Sequence, residues 1–111
     1  MNDKDLADTV VAKGVGFAVT DIHYALHNTN RVGIEMLPDD FVRDWRVAGA
    51  LMEKVEAKGY DFVADVQAGK QAIIRTGRWS GERCSTENTK GIGTDESLPR
   101  AIIEACVEAL T

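Results

Sequence analysis

Asp39–Gly59, DDFVRDWRVAGALMEKVEAKG, is the stretch whose reading decides the fold. Phe41, Trp45, Ala48, Met52 and Val55 recur at steps of three or four residues. That spacing lays them along one stripe of a helix, which Val47 and Leu51 widen. Asp39 or Asp40, just after Pro38, is placed to cap the free N–H groups at its start, and Gly59 to take the left-handed turn that ends it. A face carrying Trp, Phe, Met and Val gains roughly 1.5–3 kcal/mol per buried side chain, so it demands a partner surface. The next residues, YDFVADV, offer one, because Tyr60, Phe62, Ala64 and Val66 alternate as one face of a strand.

Working outward, Gly69-Lys70 turns the chain and Gln71–Thr76 returns as a hairpin partner. Upstream, Asp5–Lys13 reads as a helix with Leu6 and Val10 on its apolar face, stopped by Gly14 and Gly16. Phe17, Val19, Ile22, Tyr24 and Leu26 suggest extended chain with an irregularity near Thr20-Asp21. HNTN (27–30) is turn chemistry, and Val32, Ile34 and Met36 alternate as a further strand. Downstream, GRWSGERCSTENTKGIGTDE (77–96) shows little period of either kind and reads as a long loop, a feature that is usually functional or disordered. The closing helix is clear. Ser97 or Asp95 is its cap candidate, Pro99 lies in its first turn, and Ala101, Ile102, Ala105, Cys106 and Ala109 share a face. The whole predicts one small α/β (α+β) domain over residues 1–111, a mainly antiparallel sheet sandwiched between helices.

Composition narrows the functions. The net charge of -5 disfavours direct DNA binding. No apolar run approaches the roughly 20 residues that span a bilayer, so no membrane role is expected. The acidic start, MNDKDLADTV, has no apolar signal core, and cytoplasmic residence is the default. Cys84 and Cys106 then read as reduced, structural thiols.

Three segments together resemble the phage ABA sandwich domain family. They are LADTVVAKGVGF (6–17), the capped helix start carrying Asp40, Phe41 and Trp45, and SLPRAIIEACVEAL (97–110). Leu6, Val10, Lys13, Gly16 and Phe17 carry the first match; Ser97, Pro99, Ala101, Ile102, Ala105, Ala109 and Leu110 carry the last. The resemblance implies a sheet between helices, a bacteriophage or prophage origin and therefore the host cytoplasm. It supplies no activity and no catalytic residues.

Between Gln67 and Gly93 five basic residues, Lys70, Arg75, Arg78, Arg83 and Lys90, meet only Glu82 and Glu87, so a cationic segment interrupts an acidic body. Arginine forks grip phosphate or carboxylate. Trp79 has the surface to stack on a base or anchor a protein contact, and Gly91-Ile92-Gly93 would add backbone N–H donors. Arg75, Arg78, Trp79, Arg83 and Lys90 are therefore the candidate ligand- or partner-binding residues. The plain alternative is a solvated loop with Trp79 folded back on the core.

His23 and His27 lack the spacing of a metal set and read as a solvent-exposed pair, so no metal or other cofactor is expected. Asp39, Asp40 and Asp44 suit the positive end of a helix. Asp95, Glu96, Glu104 and Glu108 read as a solvated acidic stripe. No nucleophile–base pair, P-loop or dinucleotide fingerprint is present, so the expected function is not enzymatic. The favoured expectation is a phage-encoded binding protein acting in the host cytoplasm as a counter-defence factor. It would inhibit a host immune effector such as a CRISPR complex or sequester a nucleotide-like anionic signal. The other is a phage structural or assembly module acting through self-association, for example as a homodimer.

Overall fold

A computed structural model describes residues 2–13, 17–20, 23–26, 35–66, 72–77 and 89–110. The fold class is the α+β arrangement the periodicities predict. In chain order the elements are α1 (Asp3–Lys13), β1 (Phe17–Thr20), β2 (His23–Leu26), β3 (Glu35–Met36), α2 (Pro38–Phe41), α3 (Trp45–Ala57), β4 (Asp61–Val66), β5 (Ala72–Gly77), β6 (Thr89–Asp95) and α4 (Leu98–Ala109). All described strand pairs are antiparallel, and the strands form two three-stranded sheets, β1-β2-β3 and β4-β5-β6, where one layer was expected.

Phe17–Leu26 is not one extended run: β1 and β2 pair antiparallel, Thr20 with His23 and Phe17 with Leu26, while Asp21 and Ile22 lie outside the described residues. The HNTN turn, Val32 and Ile34 lie outside the described residues.

The deciding stretch is two helices, not one. The chain turns at Val42-Arg43 after α2, and Asp44 starts α3 by accepting the N–H groups of Arg46 at 2.8 Å and Val47 at 3.4 Å. Asp44, rather than Asp39 or Asp40, is therefore the cap, and no side chain caps α2. The restart resets the helical phase. Phe41, Ala48 and Val55 stay buried, as the stripe requires, together with Val47 and Leu51, but Trp45 is left 60% exposed. Gly59, at φ 82°, takes the left-handed turn expected of it.

The core gathers on α4. This helix packs on β6 and β5 on one side and on α3 and α1 on the other, which is why it is apolar nearly all round. Ser97 occupies its cap position, and Asp95 accepts the Ser97 N–H at 2.8 Å. Arg100 lies buried among the helix ends, donating to Asp3 at 2.9 Å, Asp95 at 3.0 Å and Glu104, while Arg43 reaches Asp3 at 2.8 Å. The start of α1 is thereby tied to the β6–α4 corner.

Under α4 the Thr76 hydroxyl is fully buried with no hydrogen-bond partner among the described residues. An unsatisfied buried hydroxyl costs about 1–3 kcal/mol. Thr76→Val is expected to raise stability by about 1 kcal/mol in urea melts, by removing that hydroxyl at similar volume.

Candidate functional site

The outer face of β4-β5-β6 is built by strand alternation. On the inner face Phe62, Thr76 and Gly91 occupy one cross-strand row, with Ile74 and Gly93 in the next, toward α4. The residues between them turn outward: Val63 pairs with Arg75, and Arg75 with Ile92, so one row crosses all three strands. All three are exposed, Val63 by 41% and Ile92 by 42%. Val63 and Ile92 place an apolar side chain on each side of the Arg75 guanidinium.

β6 is the element that sequence periodicity missed, being read as part of the 77–96 loop. Its inward positions are glycines, so no apolar alternation shows. The reason is steric: a Cβ at Gly91 or Gly93 would overlap the backbone of Ala105 or Ala101. The strand lies flush on the alanine face of α4. This corrects the expectation that Gly91-Ile92-Gly93 offers N–H donors to an anion. The Ile92 N–H donates to Glu108 Oε2 at 3.2 Å, and the Thr94 N–H to Glu104 Oε2 at 3.4 Å. Glu108 is exposed, as the solvated stripe requires, and Glu104 is half-buried; both also close the free edge of β6. Burial pushes the Glu104 carboxyl above its ordinary value, while the Thr94 N–H and Arg100 pull it down.

The register slips at the hairpin end. Thr76 pairs with Gly91 but Gly77 with Thr89, which leaves Lys90 as the extra residue of a β-bulge. Bulges re-aim side chains and recur beside functional sites. Lys90 is exposed and shares its side of β6 with Ile92, diagonal to Arg75. Among the described residues neither Arg75 nor Lys90 makes an ion pair. Of the five candidate residues the structure therefore brings two, Arg75 and Lys90, onto one surface. Arg78, Trp79 and Arg83 lie outside the described residues, in the connection that joins Gly77 to Thr89.

Other candidates resolve simply. His27 and Cys84 lie outside the described residues. Cys106 is buried in α4, where burial, with a smaller push from the Glu56 charge, lifts its thiol to about 12; it is an inert core group. Asp39 and Asp40 occupy the first turn of α2. Among the described residues no group of three His, Cys, Asp or Glu side chains is arranged to hold a metal ion. No described helix is long and apolar enough to cross a membrane.

Sequence reading missed the exposure of Trp45, Val63 and Ile92. For Val63 the signal was available: outward positions of a strand are its odd or even set, and Val63 is out of phase with Phe62. For Ile92 it was not, because β6 itself was hidden. Trp45 gave none, because its exposure follows from the helix restart at Asp44.

No protein-family model matches this chain, no curated protein is detectably similar to it, and no solved structure matches its fold.

Proposed function

We propose that this is a non-enzymatic binding protein that grips an anionic group with the uncovered face of β4-β5-β6. One observation carries the reading: Arg75 and Lys90 stand together without ion-pair partners among the described residues, beside exposed Val63 and Ile92, on a molecule of net charge -5. Two cations that meet no carboxylate among the described residues of an acidic protein favour an anion arriving from outside. Arg78, Trp79 and Arg83, carried on the same hairpin connection, would add arginine forks and an aromatic surface. The resemblance to phage ABA sandwich domains supports a setting in the host cytoplasm. There the anion would be a nucleotide immune signal or the acidic surface of an immune effector. Counter-defence is the form of the proposal that joins both lines.

A phage assembly module working through self-association is the second reading. Its simplest route is edge-to-edge strand pairing, and at β6 the Glu104 and Glu108 carboxylates already occupy the Ile92 and Thr94 N–H groups. That observation favours the binding protein.

Thermal melts with cyclic and linear nucleotides and pyrophosphate test the proposal. A ligand at 100 times its Kd adds about 2.7 kcal/mol to stability. The expected result is a raised Tm with at least one phosphate ligand, abolished in Arg75→Glu/Lys90→Glu. If no ligand acts, the acidic-protein form requires host-lysate capture that the double variant loses. Capture unchanged by charge reversal would contradict the proposal.

A further inference from the structure

The two edges of β4-β5-β6 differ. On β6 the Ile92 and Thr94 N–H groups point away from β5 and donate to Glu108 and Glu104. Along an antiparallel strand the backbone groups of successive residues point to opposite sides. Gly93, between those two, therefore bonds to β5 through Ile74, and the neighbours of Ile74, Ile73 and Arg75, bond to β4 through Asp65 and Val63. The same alternation carries across β4. Asp61, Val63 and Asp65 direct their backbone groups to β5, while Phe62, Ala64 and Val66 direct theirs to the outer edge. Tyr60 keeps this phase, because its N–H leaves the sheet for the Val55 carbonyl at 3.4 Å. Among the described residues β5 is the one strand paired with β4, and no hydrogen bond reaches the outer backbone groups of Phe62, Ala64 and Val66. One edge is thus closed by carboxylates. The other presents a row of alternating donors and acceptors, the template onto which an extended chain adds as a strand.

The residues between those groups select what adds there. Asp61, Val63 and Asp65 occupy alternate positions, opposite Gly77, Arg75 and Ile73, so the sequence sets an apolar residue between two acids along the edge. Their backbones are turned to β5. Against an antiparallel newcomer they would form the non-hydrogen-bonded pairs, in which facing side chains come closest. Opposite charges at such positions favour pairing and like charges oppose it. A second copy of this chain brings the wrong charges: two-fold pairing centred on Val63 sets Asp61 of each copy opposite Asp65 of the other. A strand with basic residues at both places and an apolar one between them complements the edge.

We infer that the outer edge of β4 receives an extended segment of a partner protein that carries lysine or arginine at alternate positions around an apolar residue. The segment adds antiparallel to β4 and extends the sheet. Main-chain hydrogen bonds to Phe62, Ala64 and Val66 hold it, and Asp61 and Asp65 select its charge. This goes beyond the anion-gripping face and uses neither Arg75 nor Lys90, so the two proposals fail separately.

The test titrates the full chain with a capped peptide, Thr-Lys-Thr-Val-Thr-Lys-Thr, and reads affinity and amide hydrogen exchange. One control replaces both lysines by glutamate. A second keeps the lysines and N-methylates the threonines on either side of the valine, which removes the ladder donors and leaves the charge. The parent peptide is expected to bind about tenfold or more tightly than either control. Its binding should slow exchange at Phe62, Ala64 and Val66 and leave Val63 and Asp65, already bonded to β5, unchanged. Asp61→Asn/Asp65→Asn should weaken the parent peptide about fivefold or more while the β5 amides exchange as before. Equal binding of either control, unchanged affinity in the double variant, protection that does not alternate along β4, or no binding at all would overturn the inference; in the last case the two acids only guard the edge against pairing.

Discussion

Gly93→Ala is expected to destabilise the protein by about 3 kcal/mol or more, the upper end of what overpacking costs. The added methyl would overlap the carbonyl of Ala101 in the first third of α4. Neither side can yield cheaply. One is a strand held by β5, the other a helix buried on nearly every face. For a domain of this size the melting temperature should fall by roughly 10 °C or more. Gly91→Ala meets Ala105 in the same way and should behave alike. The control is Gly49→Ala, the same chemical change where nothing lies within 4 Å, and it should stabilise by about 0.5–1 kcal/mol. A Gly93→Ala variant as stable as the parent would mean that β6 does not lie on α4. The bulge that presents Lys90 would then be misplaced too.

Arg100→Gln should cost about 3 kcal/mol at neutral pH, the low end of the penalty for removing one partner from a buried ion network. It takes the cation from Asp95 and Glu104 and leaves Asp3 with Arg43. The pH dependence has a definite sign. Hydrogen bonds from Arg43 first, then Arg100, hold the Asp3 carboxyl below its ordinary 3.8. A lowered carboxyl lends stability that is present above its unfolded pKa and lost as pH falls through the folded one. Without Arg100 that contribution shrinks. Glu104 works oppositely: its folded pKa is raised by burial, so its ionised form opposes folding as pH rises through that value, and losing Arg100 strengthens the opposition. Both effects make the stability gap between parent and variant widest near neutrality. Urea melts between pH 7 and roughly pH 3.5 should show it closing as the carboxyls protonate. A gap independent of pH would mean that Arg100 acts through packing alone.

Much of the architecture was legible because helical period is a strong signal. α1, α3 and α4 each announce themselves by apolar residues one turn apart, and Gly59 by its position after the last of them. The misreadings have local physical causes. Phe41 and Trp45 are four apart, the spacing of a continuous stripe, yet Asp44 between them takes the Arg46 and Val47 N–H groups and begins a new helix. A side chain that is acidic, short and helix-compatible does not reveal whether it will cap. β6 was hidden because the side chains that would mark its buried face are missing by necessity at Gly91 and Gly93, where α4 fills the space. Of the binding surface, the charge excess was visible in composition. Which cations share a face depends on the register and on the bulge at Lys90, and neither is written in the spacing alone.

Amide-resolved titration of the full chain with pyrophosphate and a nucleotide panel tests the anion-gripping face most directly. The account predicts perturbations clustered at Val63, Arg75, Lys90 and Ile92 that disappear in Arg75→Ala/Lys90→Ala, with α3 silent. Perturbations scattered over the surface, unchanged in that variant, or absent with every phosphate ligand would contradict nucleotide gripping by the open sheet.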